Sequence, residues 1–64
     1  MNLNLKVPDM ACSACAETIT NAIVAIDSSA QITADLTTKE VSIETQHPEA
    51  DIRTAIISAG YTVE

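Results

Sequence analysis

Asn2-Leu3-Asn4-Leu5-Lys6-Val7-Pro8-Asp9-Met10-Ala11-Cys12-Ser13-Ala14-Cys15 passes from a period of two to the start of a helical period, and it carries both cysteines of the chain. Leu3, Leu5 and Val7 alternate with Asn2, Asn4 and Lys6, which predicts a half-buried strand from Asn2 to Val7. Pro8 has no N–H to give to a ladder, so pairing should stop there and Asp9 to Cys12 should form a loop. Ser13 is the expected N-cap of the helix that follows, with Glu17 placed toward the positive end of its dipole.

Beyond the loop, Cys15, Ile19, Ala22, Ile23 and Ile26 share one helical face, and the helix should end near Asp27 to Ser29. Alternation returns in Ile32, Ala34 and Leu36. After a turn at Thr37-Thr38-Lys39 it resumes in Val41 and Ile43, which predicts a hairpin. His47-Pro48-Glu49 opens a second helix with Pro48 at its first position and Glu49 and Asp51 in its first turn. Its buried stripe is Ile52, Ala55, Ile56 and Ala59, Gly60 suits the residue just past its end, and Tyr61-Thr62-Val63 reads as a final strand. The expected fold is therefore α+β, a ferredoxin-like βαββαβ sandwich with a four-stranded antiparallel sheet and both helices on one face. In that topology the cysteines, the hairpin turn and Tyr61 meet at one end. His47 falls at the other, roughly 20 Å away along strands of this length.

The 64 residues leave room for one domain, spanning residues 1–64, near the lower limit for a self-sufficient core. Nine acids against three bases give a net charge of −6, which repels nucleic acid and anionic lipid. The longest apolar run, Ala22 to Ile26, is far short of the ~18 residues of a membrane helix, and no basic leader precedes an apolar segment. A cytosolic protein with no membrane insertion is expected, with its two thiols reduced.

Thiolates three positions apart can close on one soft metal ion or on each other, so Cys12 and Cys15 are the candidate metal ligands. A helix N-terminus favours the thiolate form. Closed structural zinc sites need four ligands, whereas copper(I) tolerates two or three sulfurs and can exchange through a shared intermediate. The residues favour copper(I) and leave zinc, mercury(II) and a redox dithiol open. Thioredoxin-like motifs are usually flanked by Trp with Gly-Pro between the cysteines, which this chain lacks. Met10 reads as core beneath the loop rather than as a ligand, Tyr61 as packing or as an influence beside the thiols, and His47 as a surface residue. No Ser-His-Asp pattern, carboxylate pair or phosphate-cradling loop is present, so a carrier is expected and not an enzyme.

Met-x-Cys-x-x-Cys between a first strand and a helix, with Gly60-Tyr61 before the last strand, resembles the heavy-metal-associated domain over the whole chain, and a free-standing copy resembles bacterial copper metallochaperones. The resemblance implies Cys12 and Cys15 as copper(I) ligands, with Met10 packed beneath them. It also implies delivery by stepwise thiolate exchange to the soluble domain of a copper-transporting P-type ATPase, and it is compatible with a metal-bridged homodimer. A detached ATPase metal-binding domain, a zinc or mercury carrier and, from another class, a thiol-disulfide oxidoreductase are the alternatives. The common Gly-Met-Thr-Cys loop is here Asp9-Met10-Ala11-Cys12, which sets a carboxylate beside the thiols.

Overall fold

In the computed structural model, which describes residues 2–64, the elements run β1 (Asn2–Lys6), α1 (Ser13–Ile26), β2 (Gln31–Asp35), β3 (Glu40–Glu44) and α2 (Glu49–Ser58). The strands form an antiparallel sheet in the order β1-β3-β2. Its register sets Leu5 and Ala34 on either side of Val41, and Leu3 and Ile32 on either side of Ile43. One sheet face is thereby apolar along its length. The other carries Asn4, Thr33 and Ser42, and the Ser42 hydroxyl donates to Asn4 Oδ1 across it at 2.8 Å.

Helical spacing explains what covers the apolar face. Ile19 and Ile23 of α1 and Ile52 and Ile56 of α2 each lie four apart, so each pair projects from one side of its helix. All four are fully buried, and they enclose Leu5, Val7, Met10, Val41 and Ile43 in one core. Truncating one such isoleucine to alanine typically costs about 2–5 kcal/mol. A domain of this size has about 3–5 kcal/mol in all, so each of these contacts decides whether the protein folds. Ile26, expected on the buried face, is 40% exposed.

Among the described residues the sheet has three strands, not the expected four. Residues 61–63 carry no ladder, and among the described residues only the Glu64 N–H reaches β1, at the Lys6 carbonyl 2.9 Å away. Continuing that pairing would set Thr62 opposite Pro8, which has no N–H to return. The Thr62 N–H instead donates to the Asp9 carboxylate. Two helix starts also move by one residue. The N-cap of α1 is Cys12 rather than Ser13, its carbonyl accepting from the Ala16 N–H, and no acid lies in the first turn. The N-cap of α2 is Pro48, so Glu49 opens the helix with Asp51 also in its first turn. Gly60 follows α2 with φ +100, the left-handed conformation that glycine adopts without penalty.

A polar lock closes the end remote from the cysteines. Buried Thr45 donates its hydroxyl to Asp27 Oδ2 at 2.6 Å and accepts from the His47 N–H at 3.1 Å. Asp27 also accepts from the Ser29 N–H and hydroxyl. The Thr45 bond foremost, and then the Ser29 hydroxyl, hold the Asp27 carboxyl at about 2. A depressed folded-state value stabilises the fold above the unfolded carboxylate pKa of about 3.9 and loses that contribution as pH falls toward 2. Asp27→Asn should therefore lower the urea midpoint at neutral pH, and its midpoint should fall less steeply than that of the wild type between about pH 4 and 2.

Candidate metal centre

Cys12 and Cys15 come together where the β1–α1 loop enters the helix. Cys12 has an extended backbone, φ −149 and ψ 168, and its side chain is exposed. Cys15 lies in the first turn of α1 and is half-buried against the core. Both are free thiols, and their sulfurs lie 3.1 Å apart, sharing a hydrogen bond.

Three contacts fix the loop that presents them. Met10, with no exposed surface, plugs the core below, and its N–H donates to the Val7 carbonyl at 3.0 Å. The Lys39 ammonium reaches from the hairpin turn to the Met10 carbonyl at 3.0 Å. Lys39 itself sits at φ 66, closing a turn in which Asp35 Oδ1 accepts from the N–H groups of Thr37 and Thr38. On the opposite side the Asp9 carboxylate holds the Thr62 N–H, with each oxygen at 3.1 Å. The expected meeting of thiol loop, hairpin turn and Tyr61 is thus realised. The bracing roles of Lys39 and Asp9 were not evident from sequence, where Lys39 read only as a turn residue.

Tyr61 is half-buried against the core, with its phenol beside the Cys15 thiol. That neighbouring hydroxyl is the largest influence on Cys15, followed by contact with Cys12 and by backbone hydrogen bonding at Ala11. Together they outweigh partial burial and bring the Cys15 thiol from 9.0 to about 7. The same neighbouring thiol raises the Tyr61 phenol above its usual 10.0, with burial, both thiols' charge and Asp9 adding to the rise. Tyr61 is therefore a neutral donor to a thiolate at physiological pH.

His47 lies at the far end. Cys12 caps one end of α1 and Asp27 the other, about 20 Å apart at the helical rise, and Asp27 meets Thr45, which in turn accepts from His47. The His47 ring stands 3.7 Å from Asp51, beside a groove of about 610 Å³ between the helices that contains no cysteine. Among the described residues no cluster of three or more His, Cys, Asp or Glu converges anywhere. The thiols form a two-donor set. A metal–thiolate bond of about 2.3 Å puts two sulfurs about 3.8 Å apart at a tetrahedral angle and about 4.6 Å apart in line. The pair must open from 3.1 Å to admit an ion, and exposed Cys12 is the one free to swing.

The heavy-metal-associated domain family matches residues 4–62. The chain belongs to that family. The copper chaperone Atx1 from Synechocystis PCC6803, in the trimeric form of a variant with tyrosine in place of a histidine, is 48% identical with a TM-score of 0.96, over 97% of this chain and 98% of that one. A cyanobacterial copper metallochaperone, ScAtx1, in its solution structure, is 47% identical with a TM-score of 0.84 over the full length of both. The yeast copper transporter domain Ccc2a is 26% identical with a TM-score of 0.86, over 98% and 90% of the two chains. A comparison with curated proteins finds no match. As a heavy-metal-associated domain, the protein presents its paired cysteines at an exposed tip braced from both sides.

Replacing Tyr61 with phenylalanine removes the principal donor to the Cys15 sulfur. The Cys15 midpoint should then rise above 7 toward the ordinary thiol value, and alkylation of Cys15 at neutral pH should slow. Site-resolved mass spectrometry of iodoacetamide labelling across a pH series reads this directly. An unchanged midpoint would mean that the phenol does not act on the thiol.

Proposed function

We propose that this protein is a cytosolic copper(I) chaperone in which Cys12 and Cys15 hold one ion and pass it to the soluble metal-binding domain of a copper-transporting P-type ATPase. The observation that carries this reading is the sulfur pair, 3.1 Å apart at an exposed helix start, with no third metal-binding side chain nearby among the described residues. Soft thiolates favour copper(I), and an unfilled coordination sphere leaves room for an incoming sulfur. Likeness to copper chaperones across nearly the whole chain supports the same reading. Like those relatives, the protein is a carrier and not an enzyme.

Transfer is ligand exchange without redox change. A thiolate of the acceptor forms a bond to the ion, the bond to exposed Cys12 breaks, and a second acceptor thiolate then displaces Cys15. The cysteines released take up protons from solvent. Cys15, with a pKa of about 7, is close to balance between its two forms at neutral pH, so both loading and release are accessible. Met10 is enclosed in the core and supports the loop without binding the ion. No helix among the described residues is long and apolar enough to cross a membrane, which is compatible with a cytosolic carrier. A tip with open coordination sites also permits a metal-bridged homodimer.

Zinc would require two more ligands for a closed tetrahedral site. The sulfur contact also favours a competing reaction, closure to a disulfide of about 2.05 Å with loss of two electrons to an oxidant. Anaerobic titration of reduced protein with copper(I), against a competing chelator, distinguishes these readings. One equivalent should bind to the wild type, Cys12→Ser and Cys15→Ser should each lose that binding, and His47→Ala should retain it. Retained binding in either serine variant would rule out the ligand pair. Catalytic turnover of a disulfide substrate without metal would favour the oxidoreductase.

A further inference from the structure

Among the described residues, the Asp9 carboxylate spans the largest sequence gap between a hydrogen-bonded side chain and backbone. Thr62, 53 residues away, donates its N–H between the two Asp9 oxygens, each at 3.1 Å. Tyr61 sits between this anchor and the end of α2. Its own N–H reaches the Ile56 carbonyl at 3.3 Å, and the Gly60 N–H reaches Ile57 at 2.9 Å. The chain reverses through Gly60 at φ +100 and brings the Tyr61 phenol beside the Cys15 thiol. Past Thr62 the one backbone bond to the sheet among the described residues is that from Glu64 to Lys6. With no ladder to hold residues 61–63, the carboxylate supplies what a fourth strand would otherwise provide.

We infer that Asp9 is a positioning residue for metal exchange: it ties the thiol loop to the Tyr61 segment, so that the phenol stays over Cys15 while the sulfurs open around the ion. The inference rests on Cys12 and Cys15 being the copper ligands. An ionised acceptor makes the bond to Thr62 stronger than a neutral pair would be. The loop's other brace, the Lys39 ammonium on the Met10 carbonyl, comes from the hairpin turn. Among the described residues, Asp9 supplies the side-chain hydrogen bond that joins the loop to the residue next to Tyr61. Untied, the ring leaves one flank of Cys15 uncovered, and an incoming ligand reaches the ion sooner.

The chain has one tyrosine and no tryptophan, so its intrinsic emission reports on Tyr61 alone. In the metal-free protein, Asp9→Ala should raise Thr62 amide exchange at least about tenfold and change the tyrosine emission. In the copper(I)-loaded protein it should speed transfer to a small-molecule chelator about fivefold while stoichiometry stays unchanged. Asp9→Asn keeps an acceptor oxygen without the charge and should recover most of the wild-type behaviour in all three measurements. Wild-type amide exchange and emission in Asp9→Ala would overturn the tie itself. Loss of the tie with an unaltered transfer rate would overturn its role in exchange. Asn behaving as Ala in transfer, with the Thr62 amide still protected, would assign the effect to charge and overturn positioning. Failure of the wild type to bind copper is a separate result, visible without either variant, that would overturn the ligand assignment.

Discussion

Met10 holds the reactive end of the molecule in place. Its side chain is completely buried beneath the loop, so the backbone from Pro8 to Cys12 cannot shift far without opening the core. Three flexible bonds and a thioether let methionine fill irregular space in the core under a loop. With that plug in place, the Cys12 carbonyl starts the helix and Cys15 falls one turn later, and the two sulfurs face each other. A pair of thiols on an unanchored loop would lose far more conformational freedom on gripping an ion, and would grip it correspondingly less well.

The two ends of the fold are built for different purposes. At the far end Thr45, Asp27 and Ser29 satisfy one another in a closed polar cluster, and the seam between the helices is lined with small side chains such as Ala22, Ala55 and Ala59. At the thiol end the side-chain hydrogen bonds brace the loop's margins, from Lys39 on one side and to Asp9 on the other, and the sulfurs stand 3.1 Å apart with Cys12 exposed. Rigid margins around an accessible pair suit a carrier that must neither bury its cargo nor unfold to release it.

Most of this architecture is legible in the sequence because its elements are strongly periodic. The alternation in β1, β2 and β3 and the four-residue spacing of Ile19 with Ile23 and of Ile52 with Ile56 locate the strands and helices to within a residue or two. Composition sets the ends less well. Serine is a better N-cap than cysteine by propensity, yet Cys12 takes that position because Met10 and the loop's braces set where the helix begins. The last strand fails for a reason also written locally, since Pro8 removes the reciprocal bond that Thr62 would need. That consequence becomes readable only once the two segments are known to lie side by side. The pairing of Asp9 with Thr62 was beyond the reach of any local pattern for the same reason, although a carboxylate in place of the usual loop glycine was the one visible sign.

A carrier of this kind stands or falls on how the ion leaves. Copper(I)-loaded protein should be mixed, without oxygen, with increasing concentrations of a soluble domain bearing the same paired thiols, and the transfer rate followed by stopped flow. Displacement at an accessible sulfur pair predicts a rate that climbs in proportion to acceptor concentration. A rate independent of the acceptor, set by prior escape of the ion into solution, would contradict it.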